Sequence, residues 1–396
     1  MSQEEHQSKI SRNIWKFYLY GFIFGIHTVR GVYYLYMTEW GGLDIIGIML
    51  LQSYFMFMIF ILEIPSGAIA DHLSRKTALI LSSIFVVLAA FTYSIYPNVF
   101  LFFLAETFWA FSIALSSGSD EALMYSTLKT TGEEDKLTRV LGRTHLLHLI
   151  ANVISAPLGS IIAEYVSLQF TMTCLGLIYI GAFLTSLTFK EPPFKKEEKT
   201  KGYLTILKDG FNELKKNKVL RILCFDRLFI QICIGLLFWT YQPYLVTVSV
   251  PGLWFGFILS GLNIFNAIFN EMIPRFLKKV SNKKSLLITV NLINGFAFIV
   301  LGIASFPILG ILMLFLVYGF GYTRRYIYVD GINKEIESEN RATVLSTINM
   351  FGSIAMAIIY PFVGLIVKWN IFAMFLIIGI MILILTALTK VKSEYL

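Results

Sequence analysis

The sequence predicts an all-α membrane protein whose twelve transmembrane helices form two six-helix bundles. The first observation is composition, because 56% of the 396 residues are hydrophobic and the mean hydropathy is +0.70, which excludes a soluble globular protein. The second is that apolar runs of about 20 residues recur along the chain, each long enough to cross about 30 Å of hydrocarbon. The third is a strong bias in where Lys and Arg fall between these runs.

Twelve apolar segments can be delimited along the chain to within a few residues. They cover residues 14–38, 44–70, 77–96, 98–128, 140–165, 168–189, 219–247, 252–273, 285–305, 307–333, 342–367 and 370–390. The first segment is too long for the apolar core of a cleaved signal peptide and has no small-residue cleavage site. We therefore expect it to remain in the protein as a membrane helix.

The 33 Lys and Arg residues, against 25 Asp and Glu, are distributed unevenly. With the N-terminus inside, Lys368 is the one basic residue in an outer loop, and four arginines lie within segments. The rest lie in or beside cytoplasmic segments, which is the positive-inside pattern. We expect a multi-pass protein of the inner (cytoplasmic) membrane of the cell with both termini in the cytoplasm. The net charge of +8 reflects this topology, so no nucleic-acid partner is expected.

The longest connection, residues 190–221, carries ten Lys and Arg against five acids. Its apolar residues recur at helical spacing, which predicts an amphipathic helix on the inner membrane surface; a plain charged linker is the alternative. The apolar residues at this spacing are Leu204, Leu207, Phe211 and Leu214. The chain is thereby divided into an N-terminal six-helix bundle (1–189), a cytoplasmic linker (190–218) and a C-terminal six-helix bundle (219–396).

The stretch Glu63–Lys76, E-I-P-S-G-A-I-A-D-H-L-S-R-K, joins the second segment to the third. Gly67 permits a neighbouring helix to approach closely, and Asp71 can pair with a cation or with the N-terminus of another helix. Arg75 and Lys76 favour the cytoplasmic side. This G-x-x-x-D-x-x-x-R-K spacing resembles the signature loop of the major facilitator superfamily, where it latches the two halves together on the cytoplasmic side. A basic turn between any two membrane helices is the alternative.

The resemblance implies the major facilitator fold, in which two pseudo-symmetric bundles surround a central cavity. The E-I-P-S-G-A-I-A-D form of the loop resembles the drug-efflux, drug:proton antiporter-like branch. It implies a monomeric secondary transporter in the lipid bilayer that exports a small hydrophobic or cationic molecule, most simply in exchange for protons. Uptake or exchange of an anionic metabolite is the alternative within the family. A non-transporting membrane receptor or scaffold is the alternative from another class.

Ionisable side chains inside hydrocarbon are costly and are therefore candidates for function. At about 1.5 Å per residue, Arg30 lies about 24 Å along the first segment and Glu106 about 12 Å from the outer end of the fourth. These depths agree within one or two turns, and the resemblance implies that the first and fourth helices are neighbours at the cavity. We therefore predict an Arg30–Glu106 pair with His27 one turn deeper. Drug-exporting relatives carry an arginine at the Glu106 position, so the charges are exchanged here; snorkelling to the outer surface is the alternative. His148 and Asn152, four residues apart, are further cavity candidates.

Opposite charges cluster near the predicted inner ends of segments four, seven and ten. The gate candidates are Asp120, Glu121, Asp226, Arg227, Arg324 and Arg325. The resemblance implies that inner helix ends meet when the cavity faces outward, so opposite charges on the two halves would form a gate where water is excluded. Protonation of Asp120 or Glu121 would weaken that gate. Static ion pairs that never open are the alternative.

No sequence pattern indicates an enzyme, a metal site or a cofactor. The three cysteines lie in apolar segments without metal-like spacing, and His145 with His148 lacks a third ligand. The chain contains no G-x-x-x-x-G-K-[ST], G-x-S-x-G or H-E-x-x-H motif. Similar Pro-Gly stretches in segments five and eleven, A-P-L-G from Ala156 and Y-P-F-V-G from Tyr360, instead support two related halves.

Overall fold

The computed structural model describes residues 10–193, 203–277, 279, 280, 282–336 and 341–396, and only their backbone at 63–73, 203–207, 209, 274 and 341–343. Within these residues the chain is helical and contains no strand, so the predicted all-α fold is confirmed. The helices are α1 (Asn13–Gly25), α2 (Ile45–Leu73), α3 (Arg75–Ile95), α4 (Val99–Ser116), α5 (Ser119–Thr131), α6 (Leu137–Tyr165), α7 (Leu168–Thr188), α8 (Tyr203–Lys216), α9 (Lys218–Gly235), α10 (Leu237–Thr247), α11 (Leu253–Leu277), α12 (Lys283–Leu301), α13 (Pro307–Lys334), α14 (Arg341–Trp369) and α15 (Ile371–Ala387).

The described residues form ten helical spans that are long and apolar enough to cross a membrane, with α4–α5 and α9–α10 each counted as one span. Two predicted segments remain. The last is α15, an apolar helix of 17 residues. The first is α1, with 13 residues, followed by helical turns between Arg30 and Trp40. Each of the twelve predicted segments therefore has a helical counterpart.

The chain divides into two compact units, Met1–Asp44 with Leu51–Thr200 and Ile45–Leu50 with Lys201–Leu396. In the first unit α3 packs against α4 and α7, and in the second α12 packs against α13 and α15. These are the third, fourth and sixth segments of each half. The shared packing relation is what structurally repeated halves produce.

Each unit has its own apolar core. In the first unit, buried residues of α1, α3, α5 and α7 meet around Phe17, Leu79 and Leu123. In the second, Leu214 from α8 joins a core that includes Tyr328 of α13. Because α1 and α8 contribute side chains to these cores, both helices are attached to their units by apolar burial.

Helix α8 lies in the connection between the two predicted bundles. It packs against α14, where the ring centroids of Phe211 and Phe351 are 6.3 Å apart. Leu214 is buried, whereas Phe211 is exposed. Leu204 and Leu207, which the sequence places on the same apolar stripe, lie outside the described side chains. Helix α8 therefore packs against other helices of the second unit.

The sequence predicts one continuous helix over 14–38, and this prediction is wrong. Helix α1 ends at Gly25, and Ile26 adopts an extended conformation with ψ of 121°. Helical turns resume at Arg30. The seventh segment is also divided, at Leu236 between α9 and α10. Interrupted helices in corresponding positions of two halves are typical of substrate and ion sites in transporters.

The interrupted chain after α1 packs directly on α6 and α7. A Cβ atom added to Gly159 would lie 1.6 Å from the carbonyl oxygen of Thr28. The Thr28 hydroxyl donates to the Thr171 carbonyl at 2.7 Å, and the His27 amide donates to the Ser155 hydroxyl at 2.9 Å. The non-helical backbone is therefore held by protein partners, as it must be at membrane depth.

Replacing Gly159 by Ala is expected to lower the melting temperature by about 5 °C, because overpacking costs about 1–3 kcal/mol. The new methyl group meets backbone, which cannot rotate away as a side chain can. The matched control is Gly142→Ala in the same helix, where an added Cβ meets nothing within 4 Å. Thermal unfolding of both purified variants in detergent checks this, and equal melting temperatures would contradict the close approach.

Candidate functional site

Glu106 is a buried acid inside the apolar helix α4. This helix begins at Asn98, whose side chain accepts hydrogen bonds from the amides of Phe100 and Leu101. Glu106 follows two turns later and is 5% exposed. A carboxyl group buried in an apolar helix requires polar partners from neighbouring elements.

Three neutral side chains supply those partners by donating to Oε1 of Glu106. The Tyr93 hydroxyl lies at 2.5 Å, the Gln52 amide at 2.9 Å and the Tyr33 hydroxyl at 3.4 Å. Tyr93 belongs to α3, Gln52 to α2 and Tyr33 to the interrupted first segment. We call these four residues the Glu106 cluster.

The Glu106 cluster can hold a carboxyl group in either protonation state. Burial opposes the charged form, whereas hydrogen bonds from hydroxyl and amide donors favour it. The Tyr33 hydroxyl is the most distant of the three donors. A movement of the interrupted segment would therefore change the balance between the two states of Glu106.

The predicted pairing of Arg30 with Glu106 remains a prediction. The depth estimate behind it assumes one continuous helix, and the interruption at Ile26 removes that assumption. Arg30 is half-buried in the turn after the interruption. The Arg30 amide donates to the His27 carbonyl at 3.2 Å, and the preceding helix touches the His148 backbone at Gly25, so these three predicted residues lie in one neighbourhood.

His27 lies in an aromatic cluster beside the Glu106 cluster. Its Nε2 atom is 3.1 Å from the Tyr179 hydroxyl, and its ring stacks on Trp109 with centroids 5.7 Å apart. The rings of Trp109 and Tyr179 are also in edge contact, at 6.4 Å. Trp109 lies three residues after Glu106, on the same side of α4. The His27 cluster, formed by His27, Trp109 and Tyr179, therefore adjoins the buried acid.

The two candidates on α6 lie close to this region. An added Cβ on Gly25 would lie 2.2 Å from the carbonyl oxygen of His148, so α1 touches the α6 backbone there. Asn152 follows one turn later and is buried. The structure thus brings His27, His148 and Arg30 together, with Asn152 on the adjoining turn of α6.

Half of the predicted latch motif lies outside the described side chains. Gly67 and Asp71 fall within α2, for which only the backbone is described at these positions. The Lys76 amide donates to the Glu191 carboxylate at 2.8 Å. The first turn of α3 is thereby joined to the segment that follows α7.

Arg75 makes a specific contact within the first unit. Its Nη1 atom donates to the Ala122 carbonyl at 2.9 Å and to the Ser126 hydroxyl, both on α5. The sequence predicts that Arg75 lies at the cytoplasmic surface, and in the structure its guanidinium group joins the start of α3 to α5. The latching of the two halves remains a prediction.

The sequence predicts that Asp120 and Glu121 lie at the inner end of the helix that begins at residue 99. In the structure that helix ends before them, at Ser116. Gly118 has a φ of +75° and interrupts the segment, because glycine adopts this left-handed conformation without steric cost. The two acids lie instead in the first turn of α5, and both are exposed. Negative charge is favourable there, at the positive end of the helix dipole.

The other gate candidates include a buried ion pair in the second unit. Arg324 is 3% exposed, and its Nη2 atom lies 3.2 Å from Oδ1 of Asp226. The Tyr328 hydroxyl donates to the same oxygen, and the Thr389 hydroxyl donates to Oδ2 at 2.5 Å. We call these four residues the Asp226 network. Arg324 therefore has its acidic partner within its own unit.

The two remaining arginines differ from Arg324. Arg227 is half-buried next to Asp226 in α9, and Arg325 is exposed. The guanidinium carbon of Arg325 lies 4.8 Å from the ring centroid of Tyr326. An exposed cation of this kind is available to solvent or to a partner, in contrast to its neighbour Arg324.

Sequence reasoning missed several members of these clusters. Gln52 is the one amide in the apolar run Ile45–Leu62, and this isolation was a usable signal. Tyr93 carries no such signal, because tyrosine is common near the ends of membrane helices, and Thr389 lies beyond the end of the apolar helix α15. Their roles depend on partners distant in sequence.

The chain is similar to known membrane transporters. It is 22% identical over 391 residues to "Uncharacterized MFS-type transporter YxaM" of Bacillus subtilis (strain 168), covering 95% of both chains. Among solved structures, the nucleoside transporter NupG superposes with a TM-score of 0.76 at 18% identity, covering 99% of this chain and 100% of that one. A mutant of NupG gives 0.78 at 17% identity, covering 96% and 98%.

A POT family transporter solved with a thioalcohol conjugated peptide also superposes, with a TM-score of 0.71 at 14% identity and 95% of each chain covered. These likenesses confirm the predicted fold. The sequence model of the Major Facilitator Superfamily matches residues 17–324, which is most of the chain. The protein therefore belongs to the Major Facilitator Superfamily and is a membrane transporter, not an enzyme.

Proposed function

We propose that this protein is a proton-coupled secondary transporter of a small organic molecule and that Glu106 carries the coupling proton. The observation that carries the proposal is the buried Glu106 carboxyl group, held by three neutral donors, one of them from the interrupted first segment. A proton drives a conformational change when it binds one conformation better than the other. If the Tyr33 hydroxyl donated to Glu106 in one conformation and not in the other, the proton affinity of Glu106 would differ between the two conformations.

Efflux of a hydrophobic or cationic compound is the first candidate activity. The Glu106 carboxyl group and the rings of the His27 cluster are chemically suited to a cation or an aromatic group. An anionic substrate would instead require accessible arginines. The ion pair with Asp226 removes Arg324 from that role, so anion exchange would depend on the half-buried Arg30 and the exposed Arg325.

Uptake of a metabolite such as a nucleoside is the second candidate. It is favoured by the superposition on the nucleoside transporter NupG over nearly the whole length of both chains. At 18% identity this likeness concerns the fold, so the substrate of NupG serves here as a hypothesis to test.

Flux measurements in proteoliposomes with an imposed pH gradient distinguish the candidates. A fluorescent cationic dye and radiolabelled uridine would be offered separately, with and without an uncoupler and beside empty liposomes. Gradient-dependent movement of the dye supports efflux of cations, and that of uridine supports nucleoside transport. Flux that is unchanged by the uncoupler would contradict proton coupling.

We also propose that Glu121 and Arg325, both exposed, act as opposite charges in the inner gate. Glu121→Arg and Arg325→Glu are each expected to lower the transport rate severalfold, because each would leave like charges together. The double variant is expected to recover most of the rate. Transport assays of the four proteins check this, and an inactive but folded double variant would count against direct pairing.

A further inference from the structure

We propose that a groove between α9 and α15 binds an anionic phospholipid of the cytoplasmic leaflet. The groove has a volume of about 290 Å³, and the two helices that form it pack against each other. Basic side chains lie at one end of the groove, and apolar side chains line the rest of it. The basic residues are Arg221 and Lys390, and the main apolar residues are Phe225, Phe229, Leu385 and Leu388.

The α9 wall orders charge and apolar surface along the helix axis. Arg221, Phe225 and Phe229 recur every four residues and therefore share one face of the helix. At about 1.5 Å per residue, the two rings lie about 6 Å and about 12 Å along the helix from Arg221. Phe225 is 54% exposed and Phe229 is 47% exposed. A phospholipid presents its phosphate and its acyl chains in the same order.

The α15 wall has the same order of basic and apolar residues along the groove, but the chain runs in the opposite direction, so the apolar residues come before the basic one. Leu385 belongs to the last turn of α15, which ends at Ala387, and Lys390 follows the helix. Arg221 is near the first turn of α9, which begins at Lys218. Both basic side chains therefore lie at the same end of the groove. The distribution of Lys and Arg along the chain assigns this end to the cytoplasmic side.

The charge at this end is positive despite an acid in the wall. Asp226 and Thr389 also line the groove, but the Asp226 carboxylate is paired with Arg324. Among the ion pairs of the described residues, neither Arg221 nor Lys390 has an acidic partner. Basic grooves between membrane helices on the cytoplasmic side are suited to anionic headgroups, and a phosphate can accept charge-assisted hydrogen bonds from both cations.

A phospholipid fits this groove better than a soluble anion. Inorganic phosphate could contact the basic end, but it would leave the exposed rings and Leu388 uncovered. Acyl chains cover that apolar wall while the headgroup remains at the basic end. A groove with cationic residues at one end and apolar residues along the rest is therefore suited to an amphiphile with a negatively charged headgroup.

Native mass spectrometry of the full-length protein in detergent tests this inference without any transport assay. Phosphatidylglycerol, phosphatidylcholine and inorganic phosphate would be added separately at equal concentrations. We expect the wild type to retain phosphatidylglycerol at least about fivefold more than phosphatidylcholine, which corresponds to about 1 kcal/mol. The double variant Arg221→Gln with Lys390→Gln is expected to lose this preference.

The matched control is Lys279→Gln with Lys334→Gln, which removes two exposed lysines outside the groove. It should retain phosphatidylglycerol as the wild type does. Equal retention of the two lipids by the wild type would overturn the proposal. So would an equal loss in the control, which indicates diffuse charge attraction, or phosphate adducts that depend on Arg221 and Lys390, which indicate a soluble anion. All four substitutions change exposed side chains, so folding should be preserved.

Discussion

Replacing Glu106 by Gln is expected to reduce proton-driven substrate accumulation to the level of empty liposomes. Glutamine preserves the size of the side chain and can still accept hydrogen bonds, but it cannot release or bind a proton. Substrate exchange across the membrane at equal pH should persist, because exchange needs no net proton movement. Loss of accumulation with retained exchange would identify Glu106 as a coupling group.

Glu164→Gln is the matched control for this prediction. Glu164 lies in the last turn of α6 and is exposed, so its replacement should change neither accumulation nor exchange. Both variants would be reconstituted at equal protein density and assayed over several imposed pH gradients. If Glu106→Gln accumulates substrate with an unchanged dependence on the gradient, the proposed role of Glu106 is wrong.

The second large effect is expected on stability. Arg324→Gln should lower the free energy of unfolding by about 4 kcal/mol, because removal of one partner leaves the other charge buried and uncompensated. Arg325→Gln, at the adjacent exposed position, should change it by less than about 0.5 kcal/mol. Denaturant or thermal unfolding of both variants in the same detergent provides the comparison.

A double variant separates pairing from packing in the Asp226 network. Asp226→Asn together with Arg324→Gln removes both charges, so it should be more stable than Arg324→Gln alone. The asparagine introduced on α9 can still accept hydrogen bonds from the hydroxyl groups of Tyr328 and Thr389. If the free energy of unfolding of the double variant falls by the sum of the decreases in the two single variants, direct coupling between Asp226 and Arg324 would be refuted.

The fold was predictable because the bilayer imposes a strong local rule. A segment of about 20 apolar residues must satisfy its own backbone hydrogen bonds in hydrocarbon, and the helix achieves this. Hydropathy alone therefore indicated all twelve segments. The stretch Glu63–Lys76 indicated the family, since its Gly, Asp, Arg and Lys residues stand at a specific spacing, and the family match confirmed that resemblance.

The candidate site was predictable only in part. Glu106, His27 and Asp226 were identifiable because an ionisable group in an apolar segment is conspicuous. Their partners were not. The bond from Gln52 to Glu106 spans 54 positions, and that from Thr389 to Asp226 spans 163. Such pairings depend on which helix faces come together, and periodicity within one segment carries no information about them.

Local hydropathy and charge were enough to establish the class of protein and to predict twelve apolar segments and the positions of the costly charges. Tertiary packing was needed to establish where the first segment breaks, which donors surround Glu106, and that Arg324 is paired with Asp226 within one unit. These features arise from contacts such as that between Gly159 and the Thr28 carbonyl. Close packing between helices selects one conformation among several that the local sequence allows.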